Sequence, residues 1–322
     1  MEILLTGSVA FDYLMTFPGY FREHILPEHL DNISLSFLVE TMVRQRGGIA
    51  PNIAYTMALL GSRPRLWAAV GDDFLEYRQW LENVGVDTSG ARVIPGVFTA
   101  SFFVNTDRSN AQIASFYPGA MAHAAELSLK ELADNPPDLV VISPNDPEAM
   151  RLYVHECQEM SIPYLYDPSQ QIVRLSAEDL EIGIRGAMAF FANHYEAALV
   201  EKMVQWDPDA ILQVNPDITL VITRGEKGTS IYKDNQSYEI PVIPPQKIED
   251  PTGVGDAFRG GFLSGIKNNL DLETCGRMGS LAATYCLEAT GTQGFSYKPI
   301  EFIQRYRQHY DDLGKLDVLL GN

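Results

Sequence analysis

The stretch Leu139-Val140-Val141-Ile142, closing on Ser143-Pro144-Asn145, is a continuous apolar run with a polar stop. A run of this length without alternation suits a strand buried on both faces, and such strands belong to parallel sheets covered by helices. The pattern recurs outward from it at Ile3 to Leu5, Leu66 to Val70, Tyr164 to Tyr166, Ala187 to Ala192 and Ile218 to Ile222. Each run is followed by a helix-like stretch, so the chain reads as βα units joined by right-handed crossovers. The expected class is α/β: an open α/β/α sandwich with a mostly parallel central sheet. Ligands of such sheets bind beyond the carboxyl ends of the strands. The groups that follow the runs are therefore expected to converge on one crevice: Gly7 to Asp12, Gly71-Asp72-Asp73, Ser143-Pro144-Asn145, Asp167-Pro168, Asn193 to Glu196 and Thr223-Arg224-Gly225.

Two stretches break the rhythm. Ile33, Leu35, Phe37 and Val39 alternate with Ser34, Ser36 and a less tidy Leu38, which predicts a half-exposed strand. Thr99 to Val104 and Ala111 to Tyr117 flank the turn-rich Asn105 to Asn110, which predicts a hairpin. Both read as a small β-sheet lid inserted in a single domain spanning residues 1–322, with lid segments at approximately 13–46 and 95–120. The plainer alternative makes them edge strands of the main sheet. No repeat or low-complexity linker divides the chain.

The 322 residues carry 42 acidic and 24 basic side chains, a formal net charge of −18. That balance argues against nonspecific nucleic-acid binding, which needs cations to displace phosphate counterions. Hydrophobic residues make up 46% and charged residues 20%, the proportions of a folded globular protein. Cys157, Cys275 and Cys286 are odd in number and lack zinc or redox spacing, and the six histidines are dispersed. No apolar run is long enough to span a bilayer and no signal peptide opens the chain, so a cytoplasmic location and no membrane partner are expected.

The richest chemistry lies in Asp250-Pro251-Thr252-Gly253-Val254-Gly255-Asp256-Ala257-Phe258-Arg259-Gly260-Gly261. Glycines ahead of a helix let successive N–H groups face one concavity, where the helix dipole favours an anion. A carboxylate at Asp256 would repel a simply bound phosphate, but it suits a base that takes the proton of a hydroxyl attacking phosphorus. Gly260, Gly261 and Gly265 cost a helix about 1 kcal/mol each relative to alanine, so close packing of the helix on the sheet or on a nucleotide is expected. Phe258 stands where a dinucleotide fingerprint needs glycine, and no Gly-Lys-Ser/Thr ends a P-loop. An ordinary helix start with a first-turn acid is the bland reading.

This segment resembles the C-terminal signature of the ribokinase-type, or PfkB, family of sugar and nucleoside kinases, with Val254 where alanine or cysteine is commoner. Gly47-Gly48 followed by Asn52 is similar to that family's N-terminal signature. The resemblance implies a ribokinase-like sandwich, Asp256 as base, and Gly253, Val254 and Gly255 as amide donors to the developing charge. It also implies that Asp12, Gly47, Gly48, Asn52 and Asp256 hold the acceptor alcohol. Asn193-His194-Tyr195-Glu196 resembles the family's Asn-x-x-Glu element, which implies Mg²⁺ held through water by Glu196 with Asn193, although the same residues make a good capping box. Thr223, Gly225 and Gly228 look like its nucleotide-binding turn, joining Asn193, Gly253 and Gly255 as ATP contacts, with Arg224 where leucine is usual.

Ala10-Phe11-Asp12, the hairpin end Ser115 to Met121, Asp256 to Gly261 and the loop Gly291-Thr292-Gln293 look like bacterial adenosine-kinase-like members of the family. Phe102, Phe103, Phe116 and Tyr117 would stack on a base, or form the lid's own core. The expected reaction is transfer of the ATP γ-phosphoryl group to the 5′-hydroxyl of adenosine or a related nucleoside. A sugar kinase acting on ribose or fructose and a noncatalytic nucleoside sensor remain as alternatives. ATP and Mg²⁺ are the implied cofactors, with K⁺ as an activator of many family members. The expected partners are a nucleoside or sugar and ATP, with no nucleic acid, and the chain is read as a monomer or a homodimer.

Overall fold

The computed structural model describes residues 1–26, 31–32 and 34–321. The apolar runs become β1 (Ile3–Thr6), β4 (Arg65–Val70), β8 (Leu139–Ile142), β9 (Tyr164–Tyr166), β10 (Ala189–Asn193) and β11 (Thr219–Thr223). They are joined by β5 (Ala91–Val93), β12 (Thr229–Lys233) and β13 (Gln236–Ile240) in one sheet of order β13-β12-β11-β10-β9-β8-β1-β4-β5. All pairs from β5 to β11 are parallel, and β12 and β13 turn antiparallel at the edge. The chain leaves β1 toward β4 on one side and returns to β8 on the other, which puts the crevice of the sheet beyond Thr6 and Ile142.

Alternation along β1 feeds two cores. Ile3 and Leu5 pack with α1 (Ile49–Leu59), α2 (Leu75–Val84), α7 (Val254–Lys267) and α8 (Leu272–Leu287). Leu4 faces the opposite layer, made by α3 (Pro147–Glu159), α4 (Ala177–Gly186), α5 (His194–Val204) and α6 (Pro208–Val214). A third cluster joins Met278 of α8 to Phe302 of α9 (Pro299–Arg307). Gly260, Gly261 and Gly265 of α7 lie against neighbouring helices and not against the sheet. A Cβ on Gly261 would lie 2.6 Å from the Met278 carbonyl oxygen of α8, and one on Gly260 would lie 2.5 Å from Thr56 Cβ of α1. The three cysteines are free and buried. No helix among the described residues is long and apolar enough to cross a membrane.

A separate sheet of order β3-β2-β6-β7 is built from β2 (Ala10–Thr16), β3 (Thr41–Gly47), β6 (Ala100–Thr106) and β7 (Gln112–Tyr117). The 99–117 hairpin is therefore present, and it is not an edge of the main sheet. The strand expected over 33–39 is not found: residues 34–39 are irregular, Ile33 lies outside the described residues, and the strand follows at β3. Phe37 explains the shift. It packs edge-on against Phe17 at 5.0 Å and Phe21 at 4.9 Å, an aromatic anchor that fixes an irregular segment. Leu38 meanwhile stands 87% exposed, so the apparent alternation buries no face.

Candidate active site

Gly253, at φ +79°, adopts the left-handed conformation that opens α7, and a Cβ there would lie 2.8 Å from Thr292 Cβ. The N–H groups of Gly253, Val254, Gly255 and Asp256 find no acceptor among the described residues. They form the positive end of a fourteen-residue helix. Asp256 sits half-buried in this first turn, and its Oδ2 accepts from Asn52 Nδ2 at 2.9 Å. Burial pushes its carboxyl up to about 7; the Arg259 guanidinium and the Asn52 amide oppose that rise, and Asp167 adds to it. A carboxyl so poised accepts a proton near neutral pH.

Arg259, one turn beyond Asp256, is buried and ion-paired with the fully buried Asp167 at the end of β9. Its Nη2 donates to Asp167 Oδ1 at 2.7 Å and to Ser169 Oγ at 3.0 Å. A Cβ on Gly255 would lie 2.8 Å from Arg259 Nη1, so the guanidinium lies against the amide cradle. Glu196 belongs to the same electrostatic cluster. Burial raises its carboxyl, its hydrogen bond from the Asn193 amide opposes the rise, Asp167 adds to it and Arg259 counters it.

On the other flank, Asp12 of β2 has its carboxyl pushed up to about 6 by burial. A Cβ on Gly47 would collide with Asp12 Oδ2, so glycine is what lets the carboxyl lie over the end of β3. Gly48, at φ +95°, starts α1, and a Cβ there would be 2.5 Å from the Ser8 carbonyl oxygen. Asp12 and Asp256 both bear on the Tyr77 hydroxyl, whose ionisation burial suppresses first and the two carboxylates suppress further. The two carboxylates thus flank one buried phenol, which donates to the Gly47 carbonyl oxygen at 3.0 Å.

Asn193 and Glu196 do form the capping box that opens α5. Asn193 Oδ1 accepts from the Tyr195 and Glu196 amides at 2.9 and 2.8 Å, and Glu196 Oε2 accepts from the Asn193 amide at 2.7 Å. The Asn193 oxygen is thereby occupied, and Glu196 Oε1 is the atom left without a donor among the described residues. No group of three or more His, Cys, Asp or Glu side chains suited to a metal occurs among those residues. One free carboxylate oxygen fits a magnesium ion that arrives with phosphates and keeps its waters, and does not fit a protein-built cage. The register places Asn193 beside Thr223. Beyond Thr223 the chain makes a tight turn through Gly225 and Gly228, and a Cβ on Gly228 would strike the Ile240 carbonyl oxygen. The Arg224 guanidinium is held by Ser230 and Glu239.

The structure therefore unites Asp12, Gly47, Gly48, Asn52 and Asp256, and links Glu196 to Asp256 through Arg259. A cleft of about 370 Å³ opens beside them, between the end of β3 and residues 290–294. Asp167 enters the sequence reading only as one of the strand-end groups expected at the crevice, and Ser169 and Arg259 carry no function there, although Arg259 lies three residues from Asp256 on the same helix face. Tyr77 and Trp80, which are joined to Asn52 through Gln293, had no local signal, and Gln293 entered the sequence reading only as part of a motif, without a role.

Residues 9–299 match the model of the pfkB family of carbohydrate kinases, and the chain belongs to that family. It is a phosphotransferase that acts on an alcohol group. A nucleoside kinase of Methanothermobacter thermautotrophicus is 30% identical over 297 residues, 91% of each chain. The Burkholderia thailandensis nucleoside kinase in ligand-free form superposes with a TM-score of 0.85 at 36% identity, covering 95% of this chain and 100% of that one. Its inosine complex gives 0.84 at 34% identity, with coverage of 96% and 98%.

Proposed function

We propose that this chain transfers the γ-phosphoryl group of ATP to the 5′-hydroxyl of a nucleoside, with adenosine the first acceptor to test. The observation that carries the reading is Asp256: a carboxyl near neutral pKa, held by Asn52, at the mouth of four amides that have no acceptor among the described residues. Asp12 and Gly48 hold the ribose, and the remaining Asn52 N–H is free to join them. As the 5′-oxygen attacks phosphorus in line, its proton passes to Asp256, the new O–P bond forms, and the bond to the β-phosphate oxygen breaks to release ADP. The amides of Gly253, Val254 and Gly255 take up the charge that develops on the phosphoryl oxygens. Thr223, Gly225, Gly228 and Asn193 bound the nucleotide side. Magnesium bound with ATP, faced through water by Glu196, would neutralise phosphate charge.

Preference for a nucleoside over a free sugar rests on the small sheet, read here as a lid. Its register places Asp12 opposite Phe102 and Phe102 opposite Phe116, so all three share one face. Phe103 falls on the other face and stacks on Tyr13 at 4.7 Å, which makes it part of the sheet's own packing. Phe116 is 49% exposed, open for a base to cover. A panel of adenosine, inosine, cytidine, ribose and fructose scored for ADP release tests the substrate class: turnover with nucleosides supports the reading, and turnover with the free sugars alone overturns it. Phe116→Ala is expected to raise KM for the nucleoside roughly tenfold, the scale of one lost base–aromatic stack. An unchanged KM removes Phe116 from the site.

A further inference from the structure

Asn52 reaches Asp256 as the last link of a hydrogen-bonded chain that begins on a different helix. Trp80 Nε1 of α2 donates to Gln293 Oε1 at 2.9 Å. Gln293 Nε2 donates to Asn52 Oδ1 at 3.0 Å and also to the Tyr77 hydroxyl. The Tyr77 hydroxyl donates its own hydrogen bond to the Gly47 carbonyl oxygen, and Asn52 Nδ2 donates to Asp256. Gln293 and Asn52 are 8% and 4% exposed, and Tyr77 is fully buried, so water does not replace these bonds.

The direction of this chain is imposed from both ends. An indole N–H only donates and a backbone carbonyl only accepts. Trp80 therefore demands the oxygen of Gln293, and because the Tyr77 O–H is committed to the Gly47 carbonyl, the phenol oxygen can only accept from Gln293. Both constraints turn the Gln293 amide the same way, with both its N–H groups used. Asn52 must then offer its oxygen to Gln293, which leaves its NH2 for Asp256. Reversal of Asn52 would set a carbonyl oxygen against the carboxylate.

We propose that Trp80 and Gln293 are positioning residues that lock the Asn52 amide so that it donates to Asp256. The inference rests on Asp256 as the proton acceptor. It assigns to Gln293, on the loop that lines the neighbouring cleft, a role in keeping the base ionised against its burial. The other ionisable groups that bear on Asp256 are Arg259, Asp167, Tyr77 and Cys286, and none is altered by the variants below.

The test is the pH profile of kcat/KM for the nucleoside in Gln293→Met, with Trp80→Phe as a second variant. Loss of a hydrogen bond to a charged group is expected to move the acid limb of Gln293→Met upward by about one pH unit. Trp80→Phe removes one of the two constraints and is expected to move the limb the same way by less. KM for ATP stays as in the parent, and ATP's own titration is common to all forms. An acid limb that stays in place in folded Gln293→Met, or activity lost equally at every pH, overturns the proposal. If that variant does not fold, the limb of Trp80→Phe decides in the same way. The parallel variant Asp256→Asn separates the two readings. Turnover retained there removes the base itself, whereas turnover lost there with unmoved limbs in the others removes only the positioning role.

Discussion

Asp256→Asn is expected to cut kcat by at least about a hundredfold, the scale of general base catalysis, while affinity for ATP stays close to that of the parent. The substitution is isosteric and leaves an oxygen for Asn52 to donate to, so the cradle of amides from Gly253 to Asp256 keeps its shape. It removes only the capacity to accept a proton. The parent's kcat/KM is expected to fall as pH drops through about 7, where burial has placed this carboxyl, because the protonated form cannot act as a base. The residual activity of Asp256→Asn is expected to lack that limb. Steady-state kinetics from pH 5 to 9 roughly brackets the transition, and calorimetric titration with ADP reports the nucleotide site separately. Turnover close to the parent's would remove Asp256 from the mechanism.

Arg259→Gln is the second large effect. It strips the counter-charge from Asp167, which has no exposed surface, and leaves a buried carboxylate beside Asp256 and Glu196. Breaking one partner of a buried pair costs about 3–5 kcal/mol, which corresponds to a melting temperature lower by roughly 5–10 °C in a chain of this size. Arg259 also lowers the Asp256 carboxyl, so the acid limb of the surviving enzyme is expected at higher pH than in the parent. Asp167→Asn combined with Arg259→Gln removes both charges and is expected to recover much of the lost stability and to bring the limb only part of the way back, since Asp167 raises the Asp256 carboxyl by less than Arg259 lowers it. Calorimetry on the single and double variants checks this, and a double variant no more stable than Arg259→Gln would show that the cost is packing and not charge.

Most of the central sheet was legible because its strands are buried on both faces, so that Leu139 to Ile142 and its counterparts read as unbroken apolar runs. The hairpin at β12 and β13 was not, since Gln236 to Ile240 is an exposed edge without such a run. β3 was misplaced for a different reason. Arg44 and Arg46 lie over the rings of Phe11 and Trp80 at 3.7 and 4.5 Å, so guanidinium groups cover aromatic surface where alternation would expect aliphatic side chains. In the candidate site, the glycine turn and Asp256 were legible as local chemistry. The contacts among the site residues were not, and Asn52 was named only through the family resemblance. Asn52 meets Asp256 across 204 positions and Gln293 across 241, and no spacing rule foretells contacts that depend on how helices are placed by the sheet.

The most direct measurement of the central claim is a crystal structure of the protein with adenosine and an unhydrolysable ATP analogue. The 5′-oxygen is expected within hydrogen-bonding distance of Asp256, and the terminal phosphate against the amides of Gly253, Val254 and Gly255. A terminal phosphate seated elsewhere, or an acceptor hydroxyl out of reach of the Asp256 carboxyl in a closed ternary complex, would contradict the central claim.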